Sequence, residues 1–203
     1  MASQSLEEHL MEIRIEQPWE YARIHVLFRI ILIFVLLGPI TFITIGMSLC
    51  FGLILTTSII YRVGGIQFHE RYNATYSKAI QFSLDASAYF LVAADTFPQW
   101  GKPGSNKVKI DPIGTPTFQS SLLRIFTAIP HIAKTLILLI IAVILIPTAL
   151  ILILIDSSVP VLLWRFQSRA AIRLVKDLAY LYSIVDKYPE FALEIPEPAR
   201  KRL

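Results

Sequence analysis

One cysteine, Cys50, occurs among 203 residues, so a single chain can build neither a disulfide framework nor a thiolate metal site. Charge is scarce as well. Asp, Glu, Lys and Arg make up 17% of the chain, against about 25% in soluble domains. There is no GxGxxG, no phosphate-binding P-loop, no GxSxG and no CxxC, which removes the motifs of dinucleotide binding, NTP hydrolysis and serine or dithiol chemistry. The histidines His9, His25, His69 and His131 include no HxxxH pair, so a zinc site has no local signature. The first nineteen residues lack a basic n-region and a short apolar h-region, and are not expected to be a cleaved signal peptide. No catalytic residue, cofactor or metal is expected.

Long uncharged runs are what the chain does have. Thr135–Ile155 is twenty-one residues without a charge, interrupted only by Pro147. An earlier run, Ile30–Ile60, is thirty-one residues without a charge. Each passes the rough test of ~18 consecutive apolar residues for a membrane segment. A straight helix over the first run would measure ~46 Å, longer than the ~30 Å hydrocarbon core. Gly38-Pro39 and a series of small residues offer places to bend, so a hairpin is expected. The net charge of +4 suggests nucleic acid at first sight. The basic residues instead flank the apolar runs, which is the pattern of topology and of anionic headgroup contact.

Around these runs the chain alternates in character. Ser5 to Glu8 has capping-box spacing and predicts a short helix to about Ile15. Trp19, Tyr21, Arg23 and Arg29 read as an interface anchor. Residues 61–76 read as a polar loop, with Gly64-Gly65 a turn signal. Residues 78–94 read as a helix lying in the headgroup plane, with Lys78, Gln81, Asp85 and Tyr89 on one face. A Pro, Gly and Lys linker follows. After the second run, Arg169, Arg173, Lys176, Tyr180, Ser183 and Lys187 form a matching stripe. The basic members and the tyrosines (Arg169, Arg173, Lys176, Lys187, Tyr180, Lys78 and Tyr89) are the candidate lipid-interface residues.

The two halves repeat one layout. Arg29-Ile30 and Arg124-Ile125 head the apolar runs. Ala88-Tyr89 lies six residues before Asp95, and Ala179-Tyr180 six before Asp186. Asp95 to Pro98 and Asp186 to Pro189 share D-x-[FY]-P. The expected fold is therefore an all-α membrane protein of two tandem repeats. Each repeat is an apolar hairpin, or one long bent helix, followed by an interfacial amphipathic helix. The expected units are an N-terminal polar segment 1–20, repeat one 21–100, linker 101–120, repeat two 121–191 and an extended basic tail 192–203. If each run crossed once, the basic residues would be split between two sides. Hairpins leave all of them on one side, as the positive-inside rule prefers, with both termini in the cytoplasm.

Arg124-Ile-Phe-Thr-Ala-Ile-Pro-His131 and Asp186-Lys-Tyr-Pro-Glu-Phe191 resemble a family of small prokaryotic membrane proteins catalogued as a domain of unknown function. The resemblance covers roughly residues 121–191, and residues 21–100 more loosely. It implies a prokaryotic cytoplasmic membrane and brings no activity with it.

Two sharper possibilities stand beside ordinary ones. His131 and Lys134 are one turn apart, and would be either an intramembrane ionisable pair or headgroup-level residues with Lys134 snorkelling. Asp95 and Asp186 would be either a carboxylate pair on a pseudo-symmetry axis or plain turn closures. The expected function is a non-catalytic accessory or scaffold subunit. Its partners would be membrane lipids and other membrane proteins or further copies of itself, with no nucleic acid. The alternative is a small transporter or channel component.

Overall fold

A computed structural model describes residues 11–36, 39–102, 104, 106–110 and 115–185, with the side chains of 34–46, 48, 49 and 125 outside that description. The chain is mostly helical. In order come β1 (Met11–Arg14), α1 (Ile24–Leu36), α2 (Pro39–Val63), α3 (Gly65–Phe90), β2 (Lys107–Ile110), α4 (Phe118–Asp156) and α5 (Val161–Leu181). The proposed helix start at Ser5, the tail, and Asp186, Lys187 and Pro189 lie outside the described residues.

The second apolar run makes no hairpin. It is part of one 39-residue helix, α4, with Pro130 and Pro147 inside it. Among the described residues α4 is the one helix long and apolar enough to cross a membrane. Its start is pinned by a capping box in which the Thr117 hydroxyl accepts from Ser120 N and the Ser120 hydroxyl accepts from Thr117 N. It ends where Ser157 turns left-handed at φ 51°.

The first run makes no hairpin either. Tyr21 N donates to Ser157 O at 2.8 Å, and Arg23 reaches the Ile155 carbonyl, so the chain enters α1 beside the end of α4. It leaves α2 beside the start of α4, where the Tyr61 and Phe118 rings lie 5.2 Å apart. Chain that enters at one end and leaves at the other has not turned back. α1 and α2 together run antiparallel to α4, and Pro39 takes the first position of α2, where its missing N–H costs nothing.

Residues 61–76 are helix, not loop. Phe68, Tyr72 and Tyr76 recur at four-residue spacing and cluster, while Glu70, Arg71, Ala74 and Thr75 face outward. Two helices share this stretch because Gly64 alone makes the corner, at φ 80°. Gly65 then passes so close to Pro116 that a Cβ would lie 2.2 Å from the Pro116 carbonyl oxygen. Gly65→Ala is expected to force that backbone apart and cost about 1–3 kcal/mol, read as a lower unfolding midpoint in detergent. Gly64→Ala tests the corner alone, since nothing lies near its Cβ.

Two strands also depart from the all-helical expectation. β1 pairs antiparallel with β2, Met11 opposite Ile110 and Ile13 opposite Val108. Both segments alternate apolar and polar residues with the two-residue period of a strand, and their apolar members pack on the core. Part of the linker is therefore ordered structure.

The core joins both halves. Leu84, Ala88 and Ala93 meet Ala142, Ile146 and Ala149 of α4 and Trp164, Ala171 and Val175 of α5. Exposed large apolar side chains are concentrated on α1, α2 and α4. Among the described residues α3 contributes only Ile66 to that set and α5 only Leu162. The molecule thus has an apolar layer, with α3, α5 and the strands packed behind it.

Candidate functional site

A helix leaves its last carbonyls without partners, and a helix end buried among apolar residues must find donors for them. Two arginines do this. α3 closes through a left-handed residue, Val92 at φ 63°, with Ala93 N and Ala94 N both donating to Ala88 O. Arg29 reaches this end from α1. Its guanidinium donates to Tyr89 O at 3.1 Å, to Ala94 O at 2.6 Å and to Asp95 at 3.2 Å, and its carbon lies 4.5 Å from the Tyr89 ring centre. α5 closes the same way through Ser183 at φ 58°, with Ile184 N and Val185 N directed at Ala179 O. Arg124 reaches it from α4 and donates to Tyr180 O and Val185 O, both at 3.0 Å, with the Tyr180 ring 5.0 Å away. The positive charge also lies at the negative end of each helix dipole.

Between these junctions lies a denser polar contact. α5 runs antiparallel to α4, and polar groups meet along much of the seam. Tyr180 and Thr127 share a hydrogen bond between hydroxyls at 2.8 Å. The Thr135 hydroxyl donates to Asp177, the Arg173 guanidinium reaches His131 Nδ1, and Arg173 pairs with Asp177 at 3.3 Å. Gln167 donates to the Ala142 carbonyl at 3.0 Å. His131, Thr135, Arg173 and Asp177 are all buried. Burial holds the Asp177 carboxyl above its ordinary range, against the pull of the Thr135 hydroxyl and then of Arg173. This cluster is the candidate functional site. Four ionisable or hydroxyl groups meet where the uncharged run begins, and they can hold or relay a proton or fix a helix pair.

The predicted interface residues divide. Lys78 is exposed, and Arg169 and Lys176 are partly exposed. Arg173, Tyr180 and Tyr89 are buried, so their expected headgroup role is corrected. Arg173 is taken up by His131 and Asp177, while the tyrosines wall the two arginine junctions. Burial raises the Tyr89 hydroxyl above its usual range. The stripe through Gln81 and Asp85 also turns inward. Asn106 donates to Asp85 at 2.9 Å, and Gln81 ties Asn106 O and Val108 N, which anchors the linker to α3. Asp95 holds Ala22 N, His25 and Arg29, and Pro98 is partly buried.

Sequence reasoning missed Asp177, Gln167 and Trp164. The i,i+4 spacing of Arg173 with Asp177 and of His131 with Thr135 was the available signal. Among the described residues no group of three His, Cys, Asp or Glu side chains could hold a metal. A cleft of about 220 Å³ lies between Lys78, Gln81 and Phe82 on one side and Gln99 and Lys102 on the other, below the ~300 Å³ of ordinary ligand pockets. Comparison of the chain with protein-family models, with curated proteins and with solved structures finds no match.

Proposed function

We propose that this is a non-catalytic, membrane-resident accessory or scaffold subunit built from two copies of one unit. The single observation that carries it is the distribution of exposed apolar side chains. They cover α1, α2 and α4 and are nearly missing from α3 and α5, so the apolar layer has lipid or protein as its natural neighbour. Duplication draws support from the paired junctions, Arg29 with Tyr89 and Arg124 with Tyr180, each at a left-handed helix end. The resemblance to the prokaryotic membrane family belongs to the same proposal, as does residence in the cytoplasmic membrane with the basic residues and both termini on its inner side.

One observation favours a second reading. Ionisable groups buried beside an apolar run are costly and commonly functional, so the His131, Arg173 and Asp177 cluster suits a proton or ion route in a small transporter or channel component. Affinity purification in mild detergent tests the first reading, with a stoichiometric partner expected. Purified protein that alone moves protons or ions in liposomes would overturn it in favour of the second.

A further inference from the structure

The exposed side of α4 has a length that can be compared with a bilayer. From Leu122 to Ile155 every exposed residue is apolar except Thr127 and Thr148. That strip is about 50 Å long at ~1.5 Å per residue. The hydrocarbon core is only ~30 Å thick. Fitting the strip into it would need a tilt of about 55°, beyond the range of ~0–40° seen for spanning helices. An upright α4 would instead leave several turns of Leu, Ile and Phe in water.

The neighbour of α4 points the same way. Gln167 of α5 sits against Ala142, inside the uncharged run. Arg165 and Arg169 flank Gln167 on α5, and both are partly exposed. With α4 upright and Thr135–Ile155 centred, both arginines would stand near the bilayer midplane, where charge is strongly disfavoured. Moreover, α1 and α2 continue the apolar face alongside α4, from exposed Ile24 at one end to exposed Tyr61 at the other. Exposed charge on the opposite layer includes Glu70, Arg71 and Lys78 of α3.

We infer that the apolar layer of α1, α2 and α4 lies flat in a single lipid leaflet, along the whole length of α4, with α3 and α5 on the water side. This rests on the membrane reading above and changes its geometry. The partner surface is one leaflet's acyl chains and anionic headgroups, not two opposite interfaces. Flat immersion keeps Arg165, Arg169 and Lys176 at headgroup level, and leaves the basic residues in one compartment without any hairpin.

The test uses the full chain with Cys50→Ser and one spin label at a time, in Leu123→Cys, Ile137→Cys, Ile144→Cys and Ile151→Cys. All four native side chains are exposed. The protein is reconstituted in vesicles of phosphatidylethanolamine and phosphatidylglycerol. Oxygen and nickel-chelate collision rates then report depth. Flat immersion gives the four positions one depth, in the shallow zone of about 5–10 Å below the headgroups. A maximum at Ile144 with Leu123 in water would mean crossing and overturn the inference while leaving the membrane reading intact. Nickel access at all four would sink both. Exclusion of both colliders, with spin–spin broadening, would mean that a second copy covers the face and would also overturn it. Arg169→Cys and Lys78→Cys supply a second readout. An impermeant maleimide should label both from the same side, and opposite-side labelling would refute flat immersion.

Discussion

Arg29→Leu should lower stability by about 3–5 kcal/mol, the usual consequence of removing one member of a buried charge pair. The carbonyls of Tyr89 and Ala94 and the carboxylate of Asp95 each lose a bond, although Val92 N still reaches Tyr89 O and Ala22 N and His25 still hold Asp95. Arg29 is fully buried, so water cannot easily replace it. Arg124→Leu should cost about 1–3 kcal/mol, chiefly through the Val185 carbonyl, since Tyr180 O keeps its bond from Ser183 N. Lysine at either position should recover only part, because an ammonium is a point charge and cannot fork between carbonyls on different turns. The check is an unfolding titration in mixed micelles, together with hydrogen exchange at Ala93, Ala94, Ile184 and Val185. If leucine proved neutral at Arg29, that residue would be an interface anchor after all, as the sequence alone suggests.

Asp177→Leu should be nearly as damaging, about 3–5 kcal/mol, because it leaves Arg173 buried without its carboxylate. The double change Arg173→Met with Asp177→Leu should instead be neutral, or stabilising by about 1–4 kcal/mol, since well-packed apolar pairs often outdo buried ions. The combination separates two roles. A scaffold built from the double variant keeps its partner, whereas a proton or ion route loses its flux although the protein folds. Acidity provides a second check. Because burial raises the Asp177 carboxyl, its contribution is fully present below the ordinary carboxylate value and is lost as pH climbs through the raised one. The stability difference between wild type and the double variant should shift across that interval.

Much of this architecture was legible in the residue pattern. The uncharged runs, the Arg and Ala-Tyr spacing and the helical character of residues 78–90 correspond to features of the fold, while Asp186 lies outside the described residues. The hairpins did not, for a definite reason. Only Ile30–Ile60 exceeds bilayer thickness; the hairpin expected at Thr135–Ile155 rests on the repeat and on the placement of the basic residues. α4 takes the other expected form, one long continuous helix capped at Thr117, stopped at Ser157 and holding Pro130 and Pro147 inside it. Residues 61–76 are helix and not loop because polar composition alone carries no information about phase. Phe68, Tyr72 and Tyr76 lie on one helical face, and the charges lie on the other. The basic stripe of α5 failed at Arg173 because a stripe has two possible neighbours, water or another helix. Sequence periodicity alone cannot choose between them. Asp177, four residues on from Arg173, was the sign that this part of the stripe was self-satisfied. The strands at Met11 and Lys107 were written as simple alternation, but each is four residues long and meaningful only when paired.

Trp164 of the second half donates its indole N–H to the Ala93 carbonyl of the first at 2.9 Å, and it is fully buried there. That bond has a consequence for biosynthesis. When the first hundred residues have left the ribosome, Ala93 has no indole to meet, and the groove that will receive α5 stands open. Residues far apart in the chain must wait for each other, which slows folding and prolongs exposure of sticky surface. The early half therefore keeps that surface uncovered until Trp164 arrives.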